Sequence, residues 1–293
     1  MQGPGWRGGR GGTIAHVTSI ADHYDRLAAG YERWWAPVLA PAARGLADEL
    51  ATLAVERPGA CVLDVGTGTG TLAIELVRRF PALRVTGADA SGGMLDEARS
   101  TARRSLPGDD MRRLDFLRGE AAHLPFESSV FDAVVSSFMF QIVPNRHAAL
   151  REVRRVLRPD GLLALVTWLG DDTVFEPDEA LEDAIDELAL DVPDEPDDGR
   201  TGNFVSPASA AAQVRRAGFR DVRANEDQLV HRYEPATYLA FLEQYAEHAL
   251  FEDLDPDDRD RLRDATRRRM AGLAPQAFTW RMPVVTVVAR RNR

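Results

Sequence analysis

The sequence contains no lysine and only one cysteine, Cys61. A lone cysteine cannot form an internal disulfide, and the six histidines show no H-x-x-x-H spacing or other metal-binding pattern. No apolar run approaches the roughly 18 residues that a membrane-spanning helix needs. These absences argue against a disulfide framework and a membrane span, and we predict a cytoplasmic protein without a metal site.

The charge balance is acidic, with 46 Asp and Glu against 36 basic residues, all of them arginine, and a net charge of −10. A chain of this charge is not suited to gripping nucleic acid as its main task. Hydrophobic residues make up 44% of the sequence, which is ordinary for a globular protein. We therefore expect neither a nucleic acid nor a membrane as partner.

Residues 57–169 alternate between strand and helix patterns. Short apolar runs such as VLDV, AVVS and LLALVTW are typical of strands that are buried on both faces. Helical spacing between them indicates βαβ units and a parallel sheet with helices on both faces. The predicted elements are strands at 61–65, 84–89, 113–118, 131–137 and 162–168, and helices at 71–79, 92–104 and 146–157.

The flanking segments are predicted to be largely helical. A disordered tail at 1–17 precedes helices at 18–35 and 41–56, the second with Pro41 in its first turn. Residues 171–199 hold fourteen acidic side chains and no basic one, so they either attract a cationic substrate or form a solvated face. The remaining predicted elements are helices at 178–190, 206–217, 235–249 and 256–271, and strands at 221–233 and 283–290.

The stretch Cys61–Leu76, CVLDVGTGTGTLAIEL, places a glycine-rich turn between a predicted strand and a predicted helix. Its glycines, Gly66, Gly68 and Gly70, have G-x-G-x-G spacing, whereas a dinucleotide fingerprint needs G-x-G-x-x-G. A P-loop is excluded because its lysine has no counterpart in this chain. Asp64 would repel a pyrophosphate but suits a ligand with a cationic end, such as the sulfonium and ammonium groups of S-adenosylmethionine.

The D-x-G-x-G-x-G pattern that begins at Asp64 resembles motif I of the class I S-adenosylmethionine-dependent methyltransferases. Four further segments resemble this family in the same order: VTGADAS, GGML, RGEAAHLPFESSVFDAVVSS and LREVRRVLRPDGLLALVTW. The last departs from the family's R-V-L-K-P-G-G at Asp160, a residue type that tolerates such a turn. The resemblance, which covers about residues 24–168, is to the small-molecule branch that includes quinone-biosynthesis and natural-product enzymes.

The resemblance implies an α/β fold with a Rossmann-like, seven-stranded, mostly parallel, doubly wound sheet and helices on both faces. It also implies an N-terminal helical lid and a helical insertion after the fifth strand. One methyltransferase domain would span 18–293. Its parts would be lid helices at 18–56, a cofactor-binding core at 57–169, substrate-covering insertions at 170–205 and 235–275, and remaining sheet at 206–234 and 276–293.

Several residues match positions at which the family binds its cofactor. Asp89, which lies 19 residues after Gly70, would bind both ribose hydroxyls. Met94 would lie against the adenine, Glu120 (an aspartate in the family) would accept from the adenine amino group, and Ala121 would offer its backbone N–H. The full set that the resemblance implies is Tyr24, Asp64, Gly66, Thr67, Gly68, Gly70, Asp89, Ala90, Met94, Glu120, Ala121 and Ser137.

Tyr24 belongs to a Y-D…Y segment that folds over the cofactor as a lid in similar proteins. The alternative for Tyr24 is core packing, and for Tyr31 and the adjacent tryptophans packing is the expectation, because aromatic residues at helical spacing are more often buried structure.

The acceptor pocket is predicted at the ends of the fourth and fifth strands, where open α/β sheets bind ligands. Its candidate residues are Phe138, Gln141 and Trp168. Gln141 stands where relatives often have histidine, and an amide cannot act as a base, so it would orient a substrate or else be a helix-capping or solvent-facing amide. Trp168 would form a pocket wall or part of the core. No catalytic residue is assigned, although His147 and His231 are candidates for a base.

We expect the protein to transfer a methyl group from S-adenosylmethionine to O, C or N of a small molecule, leaving S-adenosylhomocysteine. Displacement at a sulfonium needs mainly proximity and orientation, which explains why no catalytic motif stands out. A methyltransferase acting on RNA or protein and a non-catalytic cofactor-binding regulator remain alternatives, and the chain is expected to be a monomer or a homodimer.

Overall fold

The computed structural model describes residues 20–170, 173–192 and 201–293. The predicted tail at 1–17 and much of the acidic stretch lie outside these residues. The described chain divides into two compact units. The core unit contains residues 20–169, 201–227 and 283–293, and the helical unit contains 170, 173–192 and 228–282. The single domain over 18–293 stays a prediction.

The sheet has seven strands in the order β3-β2-β1-β4-β5-β7-β6. Strands β1 to β5 pair in parallel, and β7 runs antiparallel to β5, so the predicted mostly parallel, seven-stranded α/β sheet is confirmed. The strands are β1 Cys61–Val65, β2 Arg84–Asp89, β3 Leu114–Arg118, β4 Phe131–Ser137, β5 Leu157–Trp168, β6 Phe219–Arg232 and β7 Thr279–Arg291.

Helices occupy much of the rest of the described chain. The first seven are α1 Ile20–Gly30, α2 Ala36–Asp48, α3 Ala51–Glu56, α4 Thr71–Arg79, α5 Gly92–Ser105, α6 Gly108–Met111 and α7 Arg146–Val156. The others are α8 Glu176–Glu187, α9 Pro207–Arg216, α10 Pro235–Phe241, α11 His248–Asp253 and α12 Pro256–Ala271. Among the described residues, no helix combines the length and the apolar character that crossing a membrane requires.

The predicted second helix at 41–56 is wrong in its start and in its continuity. A π-helical turn at Tyr31–Trp35 leads directly into α2, and Pro41 lies inside α2 instead of in its first turn. Pro37 occupies the first turn of α2, directly after the π-helical turn. Pro41 then removes a single hydrogen bond, to the carbonyl four residues earlier, and the helix continues to Asp48.

Strands β1 and β4 lie at the centre of the sheet and are buried along almost their whole length. Leu63 of β1 and Val134 of β4 belong to one buried cluster with Leu150 and Val153 of α7. Because β1, β2, β4 and β5 are parallel, their carboxyl ends meet at one edge of the sheet, where ligands bind in open α/β folds.

In the helical unit, one arginine of α12 neutralises part of the acidic stretch. Arg269 forms ion pairs with Asp183 at 3.1 Å and Glu187 at 2.8 Å. Both acidic side chains stay about half exposed or more, at 65% and 48% of their surface. This arrangement favours the solvated-face interpretation of the described part of the stretch over attraction of a cationic substrate.

Candidate functional site

The glycine-rich turn follows β1 and precedes α4. Gly66, Gly68 and Gly70 all have positive φ, of 70°, 55° and 86°. Gly66 also allows a close approach, because a Cβ added there would lie 2.3 Å from Cγ of Met139. A side chain at this position would therefore meet both backbone strain and a steric clash.

Asp64, the penultimate residue of β1, is fully buried beneath this turn. The hydroxyl of Thr67 donates to its Oδ2 at 2.7 Å, whereas Oδ1 has no hydrogen-bond partner among the described residues. Burial raises the pKa of Asp64 to about 7. The Thr67 hydroxyl and, more weakly, the nearby backbone N–H of Ala73 oppose that rise, and Asp89 adds to it. The free oxygen is thus suited to a cationic hydrogen-bond donor.

Asp89 ends β2, next to β1 in the sheet, and its carboxylate is held by backbone donors. The N–H of Gly68 donates to Oδ2 at 2.8 Å, and the N–H of Ser91 donates to Oδ1 at 3.0 Å. Burial raises the pKa of Asp89, and these N–H groups oppose the rise. Asp89 therefore links the glycine-rich turn to the beginning of α5.

A small cavity lies between the turn and the N-terminal helices. Its lining residues are Tyr31, Ala36, Leu39, Ala43, Asp64, Gly66, Thr67, Gly68, Thr69, Thr71, Leu72 and Ser137. The structure thus brings five of the predicted cofactor residues to one cavity. The other seven, Tyr24, Gly70, Asp89, Ala90, Met94, Glu120 and Ala121, are not part of its lining.

Three features of this cavity were not expected from the sequence. Tyr31 lines it, although we expected Tyr31 to pack in the core. Helix α2 contributes a wall that no motif indicates. The hydroxyl of Thr69 is buried without a hydrogen-bond partner among the described residues. The position of Thr69 inside the glycine-rich turn is the one signal that could have found it.

The predicted adenine-side residues follow β2 and β3. Met94 is buried in the first turn of α5, where its N–H donates to Oγ of Ser91 at 3.0 Å. Glu120 is exposed and forms an isolated antiparallel bridge with His123, and Ala121 is half-buried. The N–H of Gly119 donates to the carbonyl of Asp89, so the segment that carries Glu120 lies next to the end of β2.

The predicted acceptor residues Phe138 and Trp168 are in contact. Their ring centroids are 4.2 Å apart, and the ring of Trp35 lies 6.4 Å from that of Trp168. Phe138 has a φ of 54°, unusual for a bulky residue, which turns the chain sharply after β4. These rings form an aromatic wall at the carboxyl ends of β4 and β5; Phe138 and Trp168 are both buried, and neither lines the cavity.

Gln141 supports this wall from within the protein. Its Oε1 accepts from the hydroxyl of Thr167 at 2.6 Å, and its Nε2 donates to the carbonyl of Phe138 at 2.5 Å. The predicted alternatives, a solvent-facing or helix-capping amide, are wrong, because Gln141 is buried and Asn145 caps α7. Through these two hydrogen bonds, the buried amide of Gln141 connects Phe138 to β5.

The two candidate bases do not line the cavity. His147 is exposed on α7. His231 belongs to the helical unit, where burial lowers its pKa and its ring lies 4.4 Å from that of Tyr233. No group of three His, Cys, Asp or Glu side chains within the described residues could hold a metal ion.

The residues around the cavity fit S-adenosylmethionine. The free Oδ1 of Asp64 can accept a hydrogen bond from the ammonium group of the cofactor's methionine part. The Thr69 hydroxyl is a second buried polar group without a hydrogen-bond partner among the described residues. The turn at Gly66 has room for backbone only, because Met139 occupies the place where a side chain would lie.

Comparison with known proteins agrees with this site. Residues 62–161 match the family model described as a methyltransferase domain. The chain is 36% identical over 179 residues to malonyl-(acyl-carrier protein) O-methyltransferase of Geobacter sulfurreducens, covering 61% of this chain and 62% of that protein. It is 38% identical over 154 residues to demethylmenaquinone methyltransferase of Deinococcus radiodurans, covering 51% of this chain and 57% of that protein. The chain thus matches about three fifths of the length of these relatives.

Among solved structures, the 4+2 cyclase SpnF superimposes with a TM-score of 0.58 at 21% identity, covering 97% of this chain and 99% of that one. At this identity the likeness shows the fold alone. Residues 62–161, which include the glycine-rich turn, are thus similar to a methyltransferase domain, and both relatives are named as methyltransferases.

Proposed function

We propose that this protein transfers the methyl group of S-adenosylmethionine to O, C or N of a small molecule. The observation that carries the proposal is the free Oδ1 of Asp64, a fully buried carboxylate oxygen beside the glycine-rich turn. A buried, unpaired carboxylate oxygen is costly, and a cationic ligand would remove that cost.

The cofactor would be held by groups that the fold already fixes. Asp64 and Thr69 would bind its methionine part, and the ribose hydroxyls would donate to Asp89, which Gly68 and Ser91 hold in place. Met94, Glu120 and Ala121 would face the adenine. These roles rest on the resemblance and on the positions of the residues around one edge of the sheet.

When bound, the cofactor supplies an activated methyl group on a sulfonium. The acceptor atom's lone pair forms the new bond to carbon as the carbon–sulfur bond breaks, and S-adenosylhomocysteine leaves. The chain's contribution is to orient the acceptor and to exclude water. Phe138 and Trp168 provide a rigid apolar wall for that task, and Gln141 keeps Phe138 in place.

The arrangement of arginines favours a small molecule over RNA as acceptor. In α7, Arg155 pairs with Glu152 at 2.8 Å, and in α12, Arg261 pairs with Asp258 at 2.6 Å. Arg263 pairs with Glu243 and Asp260. These arginines are engaged by carboxylates, whereas binding of a nucleic acid backbone requires free basic groups.

The experiment is a methyl-transfer assay with labelled S-adenosylmethionine against a panel of quinones, hydroxylated aromatics, amines, carboxylic acids and bulk RNA. We expect label in at least one small-molecule class and none in RNA, and loss of this transfer in Asp89→Ala. Asp115→Asn, which removes an exposed carboxylate near the opposite end of the sheet, is the matched control and should transfer normally. Transfer to RNA alone would contradict the proposal, as would cofactor binding without transfer to any class.

A further inference from the structure

Helix α1 contacts the beginning of α5 through hydrogen bonds to one carboxylate, that of Asp25. Oδ1 of Asp25 accepts from Oγ of Ser91 at 2.5 Å and from the N–H of Gly93 at 2.8 Å. These bonds and the electrostatic attraction of Arg118 lower the pKa of Asp25, so the carboxylate stays charged at neutral pH. Both donors belong to the first turn of α5 or to its cap.

The contact also depends on the absence of a side chain at Gly93. A Cβ added there would lie 2.8 Å from the carbonyl oxygen of Asp25 and 3.1 Å from its Cα. Both are backbone atoms of α1, so the clash could be relieved only by moving the helix. At the preceding residue, Gly92, an added Cβ would meet nothing within 4 Å. Gly93, unlike Gly92, is therefore a place where the α1 backbone docks.

A second contact lies farther along the same two segments. The hydroxyl of Thr101 in α5 donates to Oε1 of Glu32 at 3.1 Å, in the π-helical turn that follows α1. Tyr24 directly precedes Asp25 and Tyr31 directly precedes Glu32, and the ring centroids of the two tyrosines are 6.3 Å apart. Because Tyr31 lines the cavity, the docking of α1 on α5 sets the position of a cavity wall.

Ser91 joins this docking contact to the predicted ribose-binding carboxylate. Its N–H donates to Oδ1 of Asp89, while its hydroxyl donates to Asp25 and accepts from the N–H of Met94. A shift of Ser91 would therefore disturb all three residues at once. Two of them, Asp89 and Met94, are positions at which the resemblance implies cofactor contacts.

Helix α1 depends on this docking for its own stability. It has eleven residues and buries only Ala28. Because most of the stability of a helix in a protein comes from tertiary packing, α1 would open locally more often without its partner.

We infer that Asp25 and Gly93 are positioning residues for the cofactor: they dock α1 on α5, and this docking and cofactor binding strengthen each other. The inference rests on the proposed function for its ligand. The docking itself is a property of the free protein. Two states of α1, docked and undocked, would shift toward the docked state when the cofactor binds.

The first arm of the test uses limited trypsin digestion of the full chain without ligand, with mass spectrometry of the products. Arg26 is exposed in α1, and cleavage after it requires local unfolding of the helix. We expect Gly93→Ala and Asp25→Ala to be cut after Arg26 at least about fivefold faster than wild type, the lower end of typical couplings between sites. Gly92→Ala should match wild type, and cleavage at arginines of the other helices should stay the same in every variant.

The second arm measures S-adenosylhomocysteine dissociation by stopped-flow displacement. Gly93→Ala and Asp25→Ala should release the ligand at least about fivefold faster than wild type and Gly92→Ala, and the ligand should slow cleavage after Arg26 in wild type. Equal cleavage in Gly93→Ala and Gly92→Ala would overturn the docking. Faster cleavage with unchanged ligand release would overturn the coupling. Absence of binding to wild type would instead refute the proposed function, while the first arm would still decide the docking.

Discussion

The Thr67 hydroxyl donates to one oxygen of the Asp64 carboxylate at 2.7 Å, while the other oxygen has no partner in the described part of the chain. The carboxylate is thereby oriented but not neutralised. Asp64 belongs to the lining of a cavity whose other walls are apolar side chains, hydroxyls and glycine-rich backbone. This half-satisfied acid makes the affinity for a cationic ligand sensitive to pH.

Cofactor binding is expected to strengthen between pH 6 and pH 8. Burial raises the pKa of Asp64 to about 7, so below that pH the free protein holds a neutral carboxyl that must lose its proton to meet a cation. The dissociation constant, measured by calorimetry at both pH values, should fall by several-fold more in wild type than in Asp64→Asn. The variant serves as control for titration of the ligand itself. Equal pH dependence in the two proteins would show that the carboxylate does not titrate in this range.

The raised pKa of Asp64 also predicts that the ligand-free protein becomes less stable as pH rises. The folded state keeps a proton on Asp64 up to about pH 7, whereas the unfolded chain loses it near 3.8. The native state therefore binds more protons in this window, and its stability falls as pH rises through it. In urea unfolding without ligand, Asp64→Asn should gain stability over wild type at pH 8 and differ little at pH 4. An Asp64→Asn variant that is less stable than wild type at pH 8 would contradict the raised pKa of Asp64.

Gly66→Ala should lower the free energy of unfolding more than Gly59→Ala, a substitution that introduces similar backbone strain. Gly59 has a φ of 85° and an added Cβ there meets nothing within 4 Å, so Gly59→Ala isolates the backbone strain, about 1–2 kcal/mol. Gly66→Ala adds the clash with Met139, for which overpacking of about 1–3 kcal/mol is typical. The free energies of unfolding of the two variants measure the difference. A Gly66→Ala variant as stable as Gly59→Ala would mean that Met139 moves aside freely.

Gln141→Ala should weaken the acceptor wall without reaching the cofactor. The substitution would remove the hydrogen-bond partner of the buried Thr167 hydroxyl and of the Phe138 carbonyl. This loss costs about 1–3 kcal/mol of stability. Once an acceptor is known, its KM should rise while the calorimetric Kd of S-adenosylhomocysteine stays within about twofold. A changed Kd with an unchanged KM would place Gln141 on the cofactor side instead.

The acidic stretch is expected to have no part in substrate attraction. Asp183 pairs with Arg269, and Glu182 and Asp186 are exposed on α8. The triple variant Glu182→Gln, Asp183→Asn, Asp186→Asn should leave the acceptor KM and its dependence on salt unchanged. A rise in KM that disappears at high salt would restore the attraction hypothesis.

The sequence predicts the central sheet well because local signals there agree with one another. Strands β1, β2 and β4 begin and end where the apolar runs do, and Ser206 caps α9 as its order with Pro207 predicts. The N-terminal helices were harder to place. A proline at position 41 signals a helix start, but Pro37 already meets that requirement, and tertiary packing carries α2 past Pro41.

The motifs predict part of the cavity lining, whereas contacts between residues far apart in the sequence were not predicted. Asp64 and Ser137 follow from strand ends, and both line the cavity. Tyr31 was expected to pack in the core, because helical spacing does not tell a cavity wall from core. The contact of Asp25 with Gly93 joins residues 68 apart, and nothing in either local sequence shows that two backbones meet there.

The most direct test of the central claim is calorimetric titration of S-adenosylmethionine into wild type, Asp64→Ala and Asp89→Ala near neutral pH. We predict micromolar or tighter binding to wild type and a loss of roughly ten- to a hundredfold in each variant, since each removes a charged hydrogen-bond acceptor. Wild-type affinity in both variants would contradict the account, as would absence of binding to the wild-type protein.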